Sequence, residues 1–397
     1  MINYVPLSSV VWFQEGPGVR NAQYTTEGVK LLNVSNLVDG HVDLTTSNRY
    51  ISKEEAYGKY RHFLVDAGDL VIASSGIQVD YFDKKMGFIN ANQLPLCMNT
   101  STIRFKVLES KRYDIRYFMY YLKSNQFKVQ LQKQITGSAQ LNFGPSHLKK
   151  MQVPMIPILE QKAIAEKLDK VSSLIEKRKQ QLSLLDTLVK SKFVEMFGDP
   201  EINPHRFEKV TINDVCESIV RGPFGSSLKK EFFVEKSDKS YKVYEQKHAI
   251  QKSATIGTYY IDETKFKELS RFECKAGDFL MSCSGTMGEI YQLPENCERG
   301  IINQALCKFT LNKKIIPIYF LVFMRQTIGK LETKGSGIKN IAAVSYVKTM
   351  PVILPPIGLQ TQFVAFVERI DNLKAKIKQS LAAIELLKKS LMQKYFG

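Results

Sequence analysis

No apolar run in the chain comes near the ~18 to 20 residues that a membrane-spanning helix needs. The start, Met1-Ile2-Asn3-Tyr4-Val5-Pro6-Leu7, lacks the basic segment and apolar core of a secretory leader, so the expected compartment is the cytoplasm. The six cysteines contain no Cys-x-x-Cys pair and the five histidines no His-Glu-x-x-His, which argues against a bound metal and for buried free thiols. Catalytic motifs are missing too. There is no Asn/Asp-Pro-Pro-aromatic stretch for amino methylation, no Gly-Lys-Ser/Thr phosphate loop, and no recognisable nuclease carboxylate set. Ser74-Ser75-Gly76 and Ser282-Cys283-Ser284-Gly285 read as turns after strands, not as nucleophiles.

What is present is positive charge and a repeat. Lys and Arg outnumber Asp and Glu by 56 to 39, a formal +17, which favours a polyanion such as nucleic acid as partner. Compared with itself, the chain is a tandem duplication. Ala67-Gly68-Asp69-Leu70-Val71 answers to Ala276-Gly277-Asp278-Phe279-Leu280, and Asn99 through Arg104-Phe105 to Asn303 through Lys308-Phe309. Tyr117-Phe118 answers to Tyr319-Phe320, and Gly16-Pro17 to Gly222-Pro223. Pro157-Ile158 with Gln161 answers to Pro356-Ile357 with Gln360, and Phe197-Gly198 to Phe396-Gly397. The register drifts in the front of each copy and is constant over the last forty residues, so insertions fall in surface loops in front and the back is length-sensitive.

That back part is a helix. Apolar residues recur in steps of three and four at Ile164, Leu168, Val171, Ile175, Leu182, Leu185 and Val189, and again at Phe363, Val367, Ile370, Ile377, Leu381, Ile384 and Leu391. This is a heptad seam on lysine-rich stretches, interrupted by Arg178 in one copy and by Lys374 and Lys388 in the other. Prolines precede both helices, and glycine follows both. Each spans about 40 residues, roughly 60 Å at 1.5 Å per residue. A seam can pack on its own domain, but one so long and narrow is better satisfied by a second helix, and the other copy is the obvious partner. The expected architecture is therefore α+β. Two mixed α/β domains (1–153 and 199–352) alternate with two spacer helices (154–198 and 353–397) that form an antiparallel coiled coil with pseudo-two-fold symmetry. In the front parts, short strands follow the Gly-Asp turns, and helical stretches are expected over 113–135 and 317–331.

This ordered set of duplicated features resembles the specificity subunit of Type I restriction–modification systems, and the resemblance covers essentially the whole chain. It rests on 155–161 (Met-Ile-Pro-Ile-Leu-Glu-Gln) and 354–360 (Leu-Pro-Pro-Ile-Gly-Leu-Gln), with Gly68-Asp69 and Gly277-Asp278 upstream. The resemblance implies two target recognition domains that each read one half of an interrupted DNA site, with the helices as a ruler. It further implies two docked methyltransferase subunits carrying S-adenosylmethionine, and two restriction subunits that hydrolyse ATP. The chain itself would be non-catalytic and hold no cofactor. Gly358-Leu359-Gln360 replaces Leu159-Glu160-Gln161, so the glutamate is not shared, and the chain starts directly in a recognition domain, leaving the closing helix last.

Phosphate contacts are expected from Arg20, Lys84, Lys85, Arg221, Lys229 and Lys230, and base contacts from Ser74, Ser75 and Gln78 in the first domain and Ser282, Ser284 and Thr286 in the second. The loops with Gly137, Ser138, Gln140 and Asn142, and with Gly335, Ser336, Lys339 and Asn340, suit a domain–helix junction or a partner contact. Two other readings are compatible with the residues: a self-sufficient DNA-modifying enzyme, and a coiled-coil scaffold that does not bind DNA.

Overall fold

A computed structural model of the chain describes residues 3–134, 141–223, 225–333 and 343–397. The chain divides into two compact units, Met1–Arg178 with Gln379–Gly397, and Lys179–Lys378.

In the first unit, Gly68 turns the chain at φ +87° and its N–H donates to the Ile89 carbonyl at 2.8 Å. The strand that follows, Leu70–Ala73, is buried along its whole length. Such a β-branched run suits the middle of a covered sheet. It lies inside an antiparallel four-stranded sheet ordered Val11–Glu15, Thr102–Val107, Leu70–Ala73, Met86–Phe88. A smaller sheet orders Leu96–Met98, Val29–Leu32 and Tyr50–Ile51, its first pair parallel. Asn3–Pro6 pairs with Gln152–Met155, which leads into the first long helix.

The region expected as one helix over 113–135 is two, Ile115–Leu122 and Asn125–Gln134. Asp114 caps the first by accepting from the Arg116 and Tyr117 N–H groups. Ser124 breaks the run, its hydroxyl accepting from Phe127 N–H at 3.2 Å, a local bond that competes with helix continuation. The buried face of Ile115–Leu122 packs on the sheet through Phe118 and Phe105, ring centroids 5.2 Å apart.

The second unit repeats this plan. Its four-stranded sheet orders Cys216–Arg221, Leu306–Leu311, Phe279–Ser282, Ile290–Gln292. Its smaller sheet orders Tyr260–Ile261, Tyr241–Tyr244, Gly300–Ile302, Glu273–Cys274, again with one parallel pair. The matched Gly-Pro turns share one cause. A Cβ on Gly16 would sit 2.0 Å from the Asn99 carbonyl oxygen, and one on Gly222 1.8 Å from that of Asn303, so only glycine permits the approach.

Both long helices contain 40 residues, Ile158–Phe197 and Ile357–Phe396. Ile164, Leu168, Val171, Ile175, Val189, Phe363, Val367 and Ile370 are buried; Leu182, Leu185, Ile377, Leu381, Ile384 and Leu391 are half-buried. The interrupting Arg178, Lys374 and Lys388 are half-buried as well. In the first unit, Ile164, Ala165 and Leu168 share a core with Phe396, whose ring lies 5.1 Å from that of Tyr117. Burial, then the nearby Lys388 charge, lowers the Lys123 ammonium in this unit to about 8. In the second unit, Phe193 and Phe197 pack against Phe363 at 5.6 and 5.4 Å, and Asp186 meets Lys374 at 2.6 Å. Numbers falling along one segment while rising along the other make these two segments antiparallel within the unit. Among the described residues, no helix is long and apolar enough to cross a membrane.

Candidate nucleic-acid interface

Each unit is braced by a cation buried against a carboxylate. In the first, Arg104 Nη1 lies 3.3 Å from Asp69 Oδ2 and donates to the Leu64 carbonyl at 2.6 Å, while Nη2 donates to that of His62 at 2.8 Å. In the second, Lys308 takes the same place, donating to the Glu273 carbonyl at 2.7 Å and lying 3.5 Å from Asp278. The Gly-Asp motif is thus a turn whose aspartate anchors a cation from the neighbouring strand, a structural role.

The second shared device is the glutamine at the head of each long helix. Both are fully buried. Gln161 Oε1 accepts from the Asp114 N–H at 2.9 Å, and Nε2 donates to the Arg112 and Ile156 carbonyls at 3.1 and 2.8 Å. Gln360 does the same with the Ile316 N–H and the Lys314 and Pro355 carbonyls. Each glutamine clasps its helix to the loop that opens a domain helix, whereas Glu160 is exposed. Gln161→Leu should take the side-chain partner from three partly buried backbone groups and cost about 1–3 kcal/mol. Denaturant midpoints of the variant and parent measure this; equal midpoints would remove the clasp.

The residues expected to touch DNA fall into distinct groups. Arg20, Gln78, Lys84, Lys229, Lys230 and Thr286 are exposed; Ser75, Lys85, Arg221 and Ser284 are half-buried. Lys84 lies over the Tyr81 ring and Lys229 is 3.6 Å from Glu231. Ser74 and Ser282 require a correction: they are 1% and 0% exposed. Ser282 Oγ donates to the Thr286 carbonyl and accepts from the Glu289 N–H, so it closes its own turn and presents nothing to a ligand. Both serines sit where the buried strand has not yet surfaced. Arg221 Nε donates to the Gln304 carbonyl at 2.9 Å, an internal tie. Asn142 is exposed on a strand paired with Ser75. Gly137, Ser138, Gln140, Gly335, Ser336, Lys339 and Asn340 lie outside the described residues.

A cleft of about 640 Å³ opens in the first unit at the end of the small sheet. Its floor is a satisfied amide network: Asn99 Nδ2 donates to Asn33 Oδ1 at 2.8 Å, and Asn33 Nδ2 to the Leu31 carbonyl at 3.0 Å. Its rim carries exposed Asn48, Arg49 and Thr100, the Arg49 guanidinium 5.2 Å from the Tyr24 ring centroid. None of these rim residues stood out in the sequence; the only signal was the matched Asn99 and Asn303. In the second unit the matching region is held by His248, whose Nδ1 accepts from the Glu245 N–H at 2.8 Å and whose Nε2 lies 2.7 Å from the Ile256 carbonyl. Burial lowers its pKa, which favours the neutral imidazole.

Among the described residues, no group of three or more His, Cys, Asp or Glu side chains is placed to hold a metal. All six cysteines are free, and burial pushes the Cys97 thiol up to about 12 despite the Arg104 charge.

A sequence profile described as the Type I restriction modification DNA specificity domain matches residues 24–184 and 204–386. The type I restriction enzyme MjaVIII specificity subunit of Methanocaldococcus jannaschii is 29% identical over 182 residues, 45% of this chain and 41% of that protein. The EcoKI specificity subunit of Escherichia coli is 22% identical over 315 residues, 70% of this chain and 64% of that protein. The chain thus spans about two-fifths and just under two-thirds of these relatives' lengths. In fold it is similar to the S subunit of a Type I restriction–modification system from M. genitalium, with a TM-score of 0.53, 16% identity, and coverage of 100% of this chain and 96% of that one. It is also similar to a chain from a study of complex assembly and conformational transition in the type I system, with a TM-score of 0.58, 13% identity, and coverage of 99% and 97%. With matched segments covering most of both copies, the chain belongs to the family of Type I restriction modification DNA specificity domains.

Proposed function

We propose that the chain is the DNA-reading, non-catalytic subunit of a cytoplasmic Type I restriction–modification complex. Each recognition domain (1–153 and 199–352) reads one half of a two-part, interrupted duplex site. The spacer helices (154–198 and 353–397) pair antiparallel along their seams, set the unread gap, and scaffold two methyltransferase subunits that bring S-adenosylmethionine. Restriction subunits that hydrolyse ATP complete the assembly. The observation that carries this reading is the pairing of two copies alike in frame but unlike in surface with helices of identical length.

Positive surface charge would supply the sequence-independent part of the affinity, through Arg20, Lys84, Lys85, Lys229 and Lys230, and base edges would supply the rest. Ser75, Gln78, Ser284 and Thr286, all half-buried or exposed, would supply base contacts. Five neutralised phosphates imply that affinity falls about 500-fold between 50 and 200 mM salt. Duplex binding titrated across that range, by the chain with its methyltransferase subunits, measures the slope. Adenine methylation mapped with and without the gene gives the site. Methyl transfer by the isolated chain, or salt-independent binding, would sink the proposal.

A further inference from the structure

The two copies share a backbone frame at the cleft. In the first unit, the Leu31 N–H donates to the Arg49 carbonyl at 2.9 Å and the Asn99 N–H to that of Leu32 at 3.0 Å. In the second, the Val243 N–H donates to the Tyr259 carbonyl at 2.9 Å and the Asn303 N–H to that of Tyr244 at 2.9 Å. Isolated bridges join Thr25 to Tyr50 and Val234 to Tyr260, which fixes the register on the third side. Position by position, Tyr24 faces Arg49 in one copy where Phe233 stacks on Tyr259 at 4.5 Å in the other. Asn33 gives way to Glu245, and Thr100 to Gln304. The skeleton and the Asn99/Asn303 side chain are held, while the residues at the Tyr24, Asn33, Arg49 and Thr100 positions all change.

That pattern selects among ligands. A partner common to both copies would require the same lining in both. A small apolar ligand would require an apolar wall, whereas every lining side chain here except Val34 carries a hydroxyl, amide or guanidinium group. Two unlike stretches of duplex, met by two copies of one frame, require what is seen: constant backbone and exchanged donors and acceptors. Arg49 is the most specific of these groups. Its guanidinium lies over the Tyr24 ring, which limits its freedom and leaves its edge N–H groups for the paired O6 and N7 acceptors of guanine.

We propose that this cleft is where the first recognition domain reads the base edges of its half-site, with Arg49 contacting a guanine and Asn48 and Thr100 flanking it. The inference rests on the half-site reading given above. The test uses the full chain co-expressed with its methyltransferase subunits. Methylated adenines are mapped across the host genome for the parent, Arg49→Ala and Asn48→Ala, and the purified complexes are titrated with duplexes carrying each base at each site position. Both residues are exposed, and thermal unfolding of each variant checks that it folds; Arg49→Gln substitutes if Arg49→Ala does not. Arg49→Ala is expected to lose about 5- to 150-fold of its discrimination at one G·C position of one half-site, with the other half-site read as before. An unchanged motif, or weakening equal for every sequence (the mark of a phosphate contact), would overturn the cleft while leaving the two-part reading standing. A parent complex with no two-part motif would remove that reading, and this inference with it.

Discussion

Deleting one heptad from each long helix, residues 176–182 and 378–384, is expected to shorten the unread gap in the DNA site by about three base pairs. Seven helical residues rise about 10 Å, and base pairs rise about 3.4 Å. The segments are chosen so that the seam closes up in phase. Ile175 is then followed by Leu185 at the next seam position, and Ile377 by Lys388. The deletions also lie far from the helix ends that pack into the cores through Phe193, Phe197 and Phe396. Removing two residues from one helix alone instead rotates the following part of its seam by about 200°, away from any partner, and should abolish methylation. Genome-wide adenine methylation reads both outcomes directly. A gap unchanged by the paired deletion would mean that the helices do not measure distance.

Arg104→Ala is expected to destabilise the first unit by about 3 kcal/mol, because it takes the more buried cation from the interior Asp69 carboxylate, which keeps only Lys106 and the Asp66 N–H. Asp69 is 3% exposed, and its other cation, Lys106, lies farther toward the surface at 3.4 Å. The loss also leaves the His62 and Leu64 carbonyls without the guanidinium donors. The second copy supplies an internal control. Lys308 performs this task there, so Arg104→Lys should retain more than half of the lost stability. Replacing both members of the pair, Asp69→Leu with Arg104→Met, should recover part of it, since an absent charge costs less than an unpaired one, while the His62 and Leu64 carbonyls stay without donors. The chain's single tryptophan, Trp12, lies against the Arg104 guanidinium at 5.0 Å. Its fluorescence during urea titration therefore reports the first unit alone. A midpoint unmoved in Arg104→Ala would show that the pair contributes nothing.

The helical seams were legible because a three–four spacing has one geometric meaning, whatever the partner. The Gly-Asp turns were legible as turns, and the positive φ of Gly68 and Gly277 is the reason. Their second task, anchoring a cation from a strand thirty residues on, depends on sheet order, which local pattern does not carry. The same limit hid the parallel pair Val29–Leu32 and Leu96–Met98, whose partners are separated by a whole sheet. It also turned Ser74 and Ser282 into apparent loop residues: polarity suggested exposure, while the strand end keeps both inside. The matched glutamines were visible as letters but not as clasps, since their acceptors and donors are backbone groups that any sequence would supply. At the cleft, the repeat drew attention to what is constant, Asn99 and Asn303. The informative residues there are the ones that differ.

In each copy, attachment of the long helix is chemically separate from the side chains on the domain surface. The glutamine at the head of each long helix grips only main-chain atoms, so its hold is indifferent to which side chains decorate the sheet end. Side chains on the sheet can therefore be replaced wholesale without redesign of the mount.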